Sequence, residues 1–338
     1  MALAGGSLGY APIHAEEHDS DLTKRLTSEV SVEMPQVVLG ERQFVETSLG
    51  FCAVTITGDR RKTPCVTFHD VGTNHETCFA SIMLQSSPGA ILGQNCCFYH
   101  IDAPGSESRP RPLDAAAAGM TMDKLVVMTA DIIRHYGLQQ MIGLGVGAGA
   151  WVLAAYAARY PQNGGFMGLT LLSPPTQTCG WGEYISGNNT LTAMSVFGFS
   201  PMVRSHFLNR LYSYTTRCSG NGHSHDFLRV TDRDMSSLQS AGVYAYYQAL
   251  LKRPDLSQGL LSLTCRILLV LGEESMYYNQ ALELSDRMQH ARCQVVSVPD
   301  ASILACDDRP EKLFVPLRHF LERLQEDGLG SDWNLNVD

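Results

Sequence analysis

The stretch MIGLGVGAGAWVLAAYAARYP, residues 141–161, decides the fold. Its first four residues are apolar and indicate a buried strand. GVGAG at 145–149 predicts a tight turn, and AWVLAAYAARY indicates a helix that ends before Pro161. Residues 141–158 carry no charge and reach the length of a short membrane span, but their glycines would weaken a continuous helix. The stretch is therefore predicted to be strand, turn and helix.

Strands and helices alternate on both sides of this unit. Further strands are predicted at 51–57, 65–68, 96–101, 168–172, 265–271 and 293–298, and helices at 122–136, 148–160, 279–290 and 311–325. Several strands are continuous apolar runs, which is typical of strands covered on both faces. The order predicts an α/β fold with a mostly parallel sheet and helices on both faces.

One region interrupts this alternation. Residues 174–263 contain no convincing strand and are predicted to form a helical cap, with helices near 190–212 and 232–251. We therefore predict a flexible acidic leader (1–35), a core (36–173 and 264–326), the inserted cap and a flexible tail (327–338).

The composition of the chain argues against some classes of function. The 338 residues include 25 basic and 34 acidic side chains, for a net charge of −9, with no long basic run. This balance argues against a nucleic-acid groove or a polybasic membrane surface. The ten cysteines form no C-x-x-C pair and the first residues resemble no signal peptide, so we expect free thiols and a cytoplasmic location.

No cofactor or metal is expected. Cys218, His223, His225 and Asp226 carry groups that bind zinc, but their spacing matches no closed zinc site, and CSGNGHSHD (218–226) is predicted to be a solvated loop.

The turn GVGAG has two functional interpretations. As a dinucleotide fingerprint it should be followed by an acidic residue roughly 20 positions later, and no Asp or Glu occurs between Trp151 and Gly182. As the nucleophile elbow G-x-S-x-G of α/β-hydrolases it has the right context, with Gly147 at the nucleophile position. Because Gly147 carries no oxygen or sulfur, it cannot form an acyl-enzyme.

Other landmarks of the α/β-hydrolase fold follow in register. FHDVG (68–72) takes the place of the oxyanion loop, so Val71, Gly72 and Ala148 mark a vestigial oxyanion hole. HIDAPG (100–105) is similar to the turn after the next strand. The acid position holds Glu274, whereas the base position holds Ile303. The sequence thus predicts a hydrolase scaffold without nucleophile or base.

Several segments together resemble the N-myc downstream-regulated (NDRG) family over residues 36–325, and the last two resemble its plant members in particular. They are CVTFHDVGTNHETCF, FYHIDAPG, TMDKL, IGLGVGAGAWVLAAYAARYP, CGWGEYI and FGFSPMVRSHFLNRLYS. The resemblance implies a non-enzymatic α/β-hydrolase fold that acts in growth, auxin and stress signalling by binding partners. For plant members the implied partner is the G-protein βγ dimer.

Two alternatives remain open at this point. The pocket under the cap could sense a small acidic ligand held at the helix after Gly147. A displaced nucleophile, Ser173, Cys179 or Ser302, could retain a residual hydrolase activity.

The cap also supplies a candidate interaction surface. At helical spacing, Val203, Phe207 and Leu211 form an apolar stripe that is expected to face inward. Basic residues border this stripe and are predicted to reach outward to an acidic partner. They are Arg204, His206 and Arg210.

Overall fold

The computed structural model describes residues 40–83, 90–108, 110–161, 165–220, 222–290 and 292–335. The predicted leader, residues 1–35, lies outside these ranges. The strands are Glu41–Thr47 (β1), Gly50–Thr57 (β2), Thr63–Phe68 (β3), Cys96–Ile101 (β4), Met141–Val146 (β5), Phe166–Leu172 (β6), Arg266–Gly272 (β7) and Cys293–Val298 (β8). They form one sheet in the order β1-β2-β4-β3-β5-β6-β7-β8.

The sheet is mostly parallel. β1 runs antiparallel to β2, and β2 runs antiparallel to β4. Every other neighbouring pair is parallel, from β4 and β3 through to β7 and β8. The predicted fold class is confirmed, and the carboxyl ends of the parallel strands meet at one edge, where sites of such sheets lie.

The helices of the first half are His75–Cys78 (α1), Ala80–Met83 (α2), Ala90–Asn95 (α3), Ala115–Ala118 (α4), Met122–Tyr136 (α5) and Ala148–Arg159 (α6). Between β6 and β7 lie Trp181–Phe197 (α7), Pro201–Leu211 (α8), Tyr214–Cys218 (α9), His223–Met235 (α10), Ser240–Leu251 (α11) and Ser257–Leu261 (α12). Tyr278–Ser285 (α13), Ala305–Asp308 (α14), the 3-10 turn Pro310–Lys312 and Phe314–Glu326 (α15) complete the described chain.

The bounds of α5 follow from its own sequence. The Thr121 hydroxyl accepts a hydrogen bond from the Lys124 amide at 3.2 Å and caps the first turn. Gly137, at φ 61°, ends the helix in the left-handed conformation that glycine adopts without a steric penalty. One face of the helix is buried and the other is polar, so α5 covers the sheet as an amphipathic layer.

The unit that opened the sequence analysis lies at the centre of the core. Every residue of β5 is buried, and α6 is buried from Ala148 to Ala157. A helix that is apolar all round is expected only deep inside a domain. The residues at the β5–α6 junction are therefore enclosed by the core on all sides.

The cap docks on the core through a contact between two glycines. A Cβ atom added to Gly242 on α11 would come within 2.6 Å of the Gly105 Cα atom, and one added to Gly105 would come within 2.8 Å of the Gly242 Cα atom. The Gln239 amide also donates to the Gly105 carbonyl at 3.1 Å. Helix α11 thus lies directly on the turn after β4.

Three local predictions were wrong. The edge strand β1 was missed because ERQFVET carries charged residues and lacks an apolar run. The tail was predicted to be flexible, but Trp333 and Leu335 are buried, and the Trp333 indole donates to the Thr63 hydroxyl at 3.0 Å. HSHD was assigned to a loop, yet it begins α10, with His225 buried.

The described helices include none that is both long and apolar enough to cross a membrane. The ten cysteines, each within the described ranges, are free thiols, and six of them are almost fully inaccessible. They fill space in the core.

Candidate functional site

The β5–α6 turn has the geometry of a nucleophile elbow. Gly147 adopts φ 52° and ψ −118°, a conformation that side chains rarely take. The flanking glycines allow close backbone approach, since a Cβ atom on Gly149 would lie 2.1 Å from the Phe68 carbonyl oxygen, and one on Gly145 would lie 2.6 Å from the Ala150 Cα atom. The turn keeps the shape that aims residue 147 into the site, but residue 147 has no side chain to aim.

The Asp70 carboxylate lies at this elbow. Its Oδ1 accepts a hydrogen bond from the Ala148 amide at 2.8 Å, and Asp70 is completely buried. A Cβ atom on Gly147 would come within 2.4 Å of the Asp70 Cγ atom. The amide predicted to belong to an oxyanion hole is therefore bonded to a carboxylate of the protein itself.

The rest of the predicted oxyanion loop is covered by the cap. Val71 is fully buried. Gly72 adopts φ 83°, and a Cβ atom there would lie 3.1 Å from the Phe207 ring of α8. The loop after β3 is thus closed by Phe207 on one side and filled by Asp70 on the other.

Arg210, from the end of α8, neutralises Asp70. Its Nη1 lies 2.6 Å from Asp70 Oδ2, and its Nη2 donates to Oδ1 at 3.1 Å. The side chains are 5% and 0% exposed. Burial disfavours the charged guanidinium, but the adjacent carboxylate outweighs this effect and holds the pKa of Arg210 above its usual value.

The buried network continues from Arg210 into the cap. Arg210 Nη2 donates to the Tyr277 hydroxyl at 3.3 Å, and that hydroxyl donates to Glu183 Oε1 at 2.9 Å. Glu183 forms a bidentate pair with Arg253 at 2.7 Å for both bonds. Burial works to raise the pKa of Glu183, but the Arg253 hydrogen bonds outweigh it, and the pKa lies below its usual value.

The other predicted triad positions do not converge on the elbow as catalytic groups. Ile303 is completely buried and contributes only apolar surface. Glu274 is exposed and accepts a hydrogen bond from the Tyr214 amide at 2.6 Å, at the start of α9. Its carboxylate therefore accepts a hydrogen bond from a free amide at a helix N-terminus, where the helix dipole favours negative charge.

A second buried cluster lies beside the site, at the end of β4. Asp102 Oδ2 lies 2.7 Å from His75 Nδ1, and Oδ1 accepts from the His75 amide at 2.9 Å. Burial opposes both charges, but their mutual attraction dominates, so the pKa of His75 is raised and that of Asp102 is lowered. His69 joins this loop to the next, since its Nδ1 lies 2.7 Å from the Asp70 carbonyl and its Nε2 accepts from the Ala103 amide at 2.9 Å.

Two adjacent carboxyls beneath the cap have raised pKa values. The Tyr212 hydroxyl donates to Asp307 at 3.0 Å, and Asp308 accepts bonds from the amides of Ser213 and Ser302. Burial raises the pKa of Asp307 to about 7 and that of Asp308 to about 6. Both carboxyl groups are buried.

The predicted basic interaction surface is wrong. Arg210 points into the core, where it pairs with Asp70. Arg204 pairs with Asp232 at 2.9 Å, and its side chain is only 17% exposed. His206 Nε2 lies 3.1 Å from the Tyr247 hydroxyl, and burial lowers the pKa of His206 to about 4. The inward part of the prediction is confirmed, because the stripe Val203, Phe207 and Leu211 is buried.

None of the three candidate displaced nucleophiles is in an activating environment. The two serine hydroxyls form hydrogen bonds with backbone groups, and the cysteine has a raised pKa. The Ser302 hydroxyl donates to the Arg210 carbonyl at 2.9 Å, and the Ser173 hydroxyl accepts from the Gly272 amide at 3.4 Å. Burial and the nearby Glu183 raise the pKa of Cys179 to about 11, which keeps it a thiol at neutral pH. Across the described residues, no group of three or more His, Cys, Asp or Glu side chains could hold a metal ion.

Sequence reasoning missed the role of Asp70 and of the pair formed by Glu183 and Arg253. The sequence does contain one signal for the role of Asp70. Its carboxylate lies within the predicted oxyanion loop, and Gly147 has no side chain that would keep this carboxylate away from the elbow. No local signal identified the other pair, because 70 positions separate its members in the chain.

Residues 42–325 match the sequence model of the Ndr family. The chain is 27% identical over 293 residues to Protein NDL1 of Arabidopsis thaliana, with 86% of this chain and 84% of that protein covered. It is 26% identical over 288 residues to Protein NDRG2 of Homo sapiens, with 84% and 74% covered.

Solved structures with a similar architecture include two enzymes that are named as an esterase and an enol-lactonase. An esterase from Thermogutta terrifontis superposes with a TM-score of 0.68 at 19% identity, covering 84% of this chain and 99% of that chain. An enol-lactonase from Burkholderia xenovorans LB400 gives 0.69 at 15% identity, covering 83% and 100%. The fold is that of the α/β-hydrolases.

Proposed function

The chain belongs to the Ndr family, and we propose that it works without catalysis, as an adaptor protein that binds a signalling partner. The observation that carries this proposal is the Asp70 carboxylate, which is bonded to the Ala148 amide and paired with Arg210 beside the empty nucleophile position. The proposal includes the cytoplasm as the place of action, in keeping with ten free thiols.

The charge at the elbow opposes acyl transfer. A hydrolase stabilises the negative oxygen that develops in its transition state with amide donors held ready for it. Here the Ala148 amide already donates to a carboxylate, whose charge would repel such an oxygen. Gly147 supplies no nucleophile and Ile303 no base, so two of the three triad positions lack a reactive group.

For the interaction surface we propose the outer face of α7 and the start of α8. The large apolar side chains there are exposed: Trp181, Tyr184, Ile185, Val196, Phe197 and Met202. Residues 181–202 contain a single charged residue, Glu183, and it is paired with Arg253. An exposed apolar patch of this kind is typical of protein interaction sites.

The family resemblance implies the G-protein βγ dimer as the partner, with roles in growth, auxin or stress signalling. We adopt this dimer as the first partner to test on the α7 face. An uncharged apolar centre is what the core of a protein–protein interface requires.

The absence of catalysis is tested with activated esters and a fluorophosphonate probe. We expect no turnover of p-nitrophenyl esters and no stoichiometric labelling. Gly147→Ser should remain inactive, because an unassisted hydroxyl is a poor nucleophile and Asp70 already fills the space. Labelling of one residue of the parent protein, abolished when that residue is substituted, would show an enzyme.

Partner binding is tested by capture of purified G-protein βγ on the immobilised full chain. Trp181→Ala combined with Phe197→Ala should weaken capture at least about tenfold, because exposed aromatic side chains supply much of the energy of such interfaces. Val315→Ala on α15, a similarly exposed apolar position, is the matched control. Equal capture by the double variant and the parent would exclude the α7 face.

The alternative function, a sensor of small acids, would require Asp70 to leave its place. The Ala148 amide and Arg210 do form an anion-binding arrangement, and this observation favours a carboxylate ligand. Asp70→Ala should bind acetate in calorimetric titration if the site accepts free acids. Binding of an acid by the parent protein as well would favour the sensor over the adaptor.

A further inference from the structure

The two edges of the sheet differ in charge. Edge strand β1 has the sequence ERQFVET, with Glu41, Arg42 and Glu46 along it. Charged residues on an edge strand prevent it from pairing with other chains. β8, at the opposite edge, has the sequence CQVVSV and carries no charge and no proline. Its pairing with β7 is regular, without a bulge.

Within the part of the chain that the structure describes, no backbone group bonds to the outer edge of β8 between Val295 and Ser297. The Arg292 carbonyl accepts from the Ile267 amide at 2.8 Å, and the Val298 carbonyl accepts from the Glu273 amide at 3.0 Å. The even-numbered residues of β8 therefore direct their backbone amides and carbonyls toward β7. Val295 and Ser297 direct theirs away from β7, toward the open edge of the sheet. Among the described strands, none lies beyond β8.

We propose that β8 pairs with β8 of a second copy of this chain, so that the sheet continues across a two-fold symmetric dimer. Identical strands that meet across a two-fold axis run antiparallel. With Val295 on the axis, the two Val295 residues exchange amide-to-carbonyl bonds. The Ser297 amide of each copy then donates to the Cys293 carbonyl of the other.

The side chains suit this arrangement. Val295 is 36% exposed, and at the axis it meets its own copy as a β-branched pair, which stabilises antiparallel strands. The Cys293 amide already donates to the Gln289 carbonyl, so it needs no partner in the dimer. Pro299 follows the strand and has no amide to leave unpaired.

The charges at the two ends of β8 favour a second copy of this chain as the partner of the open edge. Arg292 precedes β8 and is exposed, with its Nη1 donating to the Thr264 carbonyl at 2.5 Å. Asp300 follows β8 with its side chain 61% exposed, although Arg309 Nη2 lies 3.5 Å from its Oδ2. Antiparallel pairing places the beginning of one strand next to the end of the other. Each Arg292 then approaches Asp300 of the other copy, while the uncharged centre avoids like-charge repulsion in a protein of net charge −9.

The oligomeric state of the full chain tests the proposal, by light scattering after size exclusion and by sedimentation over a range of concentrations. We expect the parent to have twice the monomer mass. Val295→Lys places like charges opposite each other at the axis and should weaken the dimer at least about tenfold. Phe44→Lys, at an exposed position of β1, is the matched control and should leave the dimer intact.

A mixing experiment separates strand pairing from loss of structure. Val295→Lys and Val295→Glu should each be monomeric, and an equimolar mixture should form a heterodimer, because opposite charges then meet at the axis. Unchanged circular dichroism would confirm that both variants are folded. A monomeric parent, a dimeric Val295→Lys variant or a mixture that stays monomeric would overturn the proposal. A parent that is monomeric and binds only other proteins at the edge of β8 would overturn it as well.

Discussion

Arg210 Nη1 lies 2.6 Å from Asp70 Oδ2, although the two residues are 140 positions apart in the chain. Asp70 belongs to the loop after β3, and Arg210 to the cap helix α8. The contact therefore joins the cap to the core at the point where a hydrolase would hold its substrate. Both charges are buried, so each depends on the other for compensation.

Removal of either partner should destabilise the fold strongly. Arg210→Ala or Asp70→Ala leaves an unpaired buried charge, and we expect each to lower the free energy of unfolding by about 3–5 kcal/mol. The double variant should lose less than the sum of the two, because no unpaired charge remains. Urea unfolding of the parent, both single variants and the double variant measures this coupling.

A surface pair provides the control for that experiment. Arg134 and Asp131 form a 3.1 Å ion pair in which the arginine is 73% exposed. Arg134→Ala should change the free energy of unfolding by less than about 1 kcal/mol. Additive losses for Arg210 and Asp70 would show that the two residues do not act as a pair.

A side chain at the elbow should be costly for two reasons. Gly147→Ala must place a Cβ atom at φ 52° and within 2.4 Å of the Asp70 carboxylate. Gly137 has a similar φ of 61° with nothing within 4 Å, so Gly137→Ala measures backbone strain without the collision.

We expect Gly137→Ala to cost about 1 kcal/mol and Gly147→Ala to cost about 1–3 kcal/mol or more, in urea unfolding. Addition of Asp70→Ala should recover part of the loss at Gly147 only. Equal costs at the two glycines would mean that Asp70 does not fill the nucleophile position.

The core of the fold could be predicted because its strands are apolar on both faces. Runs such as CCFYHI and CRILLVL allow few other interpretations, and the glycine spacing at 145–149 placed the elbow. β1 could not be recognised in the same way, since an edge strand faces solvent and ERQFVET does not show an apolar run. Local sequence thus determines buried strands better than exposed ones.

The site was only partly predictable. The missing nucleophile and base could be inferred from Gly147 and Ile303, because the elbow fixed their register. The direction of Arg210 could not, since a basic residue beside an apolar stripe suits solvent as well as a buried carboxylate. That choice depends on Asp70, a contact between distant parts of the chain that no local pattern encodes.

The contact between Gly105 and Gly242 should not tolerate a methyl group. A Cβ atom on Gly242 would meet backbone atoms of Gly105 at 2.6 Å, and the backbone of a packed turn moves little. Gly242→Ala should therefore destabilise the protein by about 1–3 kcal/mol. Thermal and urea unfolding provide the measurement.

A second glycine in the cap serves as the control. Gly182 lies in α7 with nothing within 4 Å of an added Cβ atom. Gly182→Ala should be neutral or stabilise the helix by up to about 1 kcal/mol. If Gly242→Ala were as well tolerated, α11 would not rest directly on the turn after β4.

Stability should depend on pH through the buried Asp307. Burial raises its pKa from 3.8 to about 7 in the folded chain, so between about pH 4 and 7 the folded state holds a proton that the unfolded state has lost. The stabilisation that this proton gives is complete below pH 4 and is lost as the pH rises toward 7. Asp307→Asn stays neutral and should flatten the fall in unfolding free energy between pH 5 and pH 8, as measured by urea midpoints at each pH.

Burial also raises the pKa of Asp308, to about 6, so its contribution to stability falls as the pH rises between about 4 and 6 in both proteins. The difference between the slopes of the two proteins therefore reports Asp307 together with its electrostatic interaction with Asp308. Burial lowers the pKa of His206 to about 4, which makes stability rise with pH between about 4 and 6.5 in both proteins. Asp327 is the control carboxyl: the Arg266 hydrogen bond lowers its pKa, and its contribution is lost only below about pH 4. Asp327→Asn should leave the slope between pH 5 and pH 8 unchanged. If Asp307→Asn and the parent had the same slope, the Asp307 carboxyl would be ionised throughout this range, with its charge compensated beneath the cap.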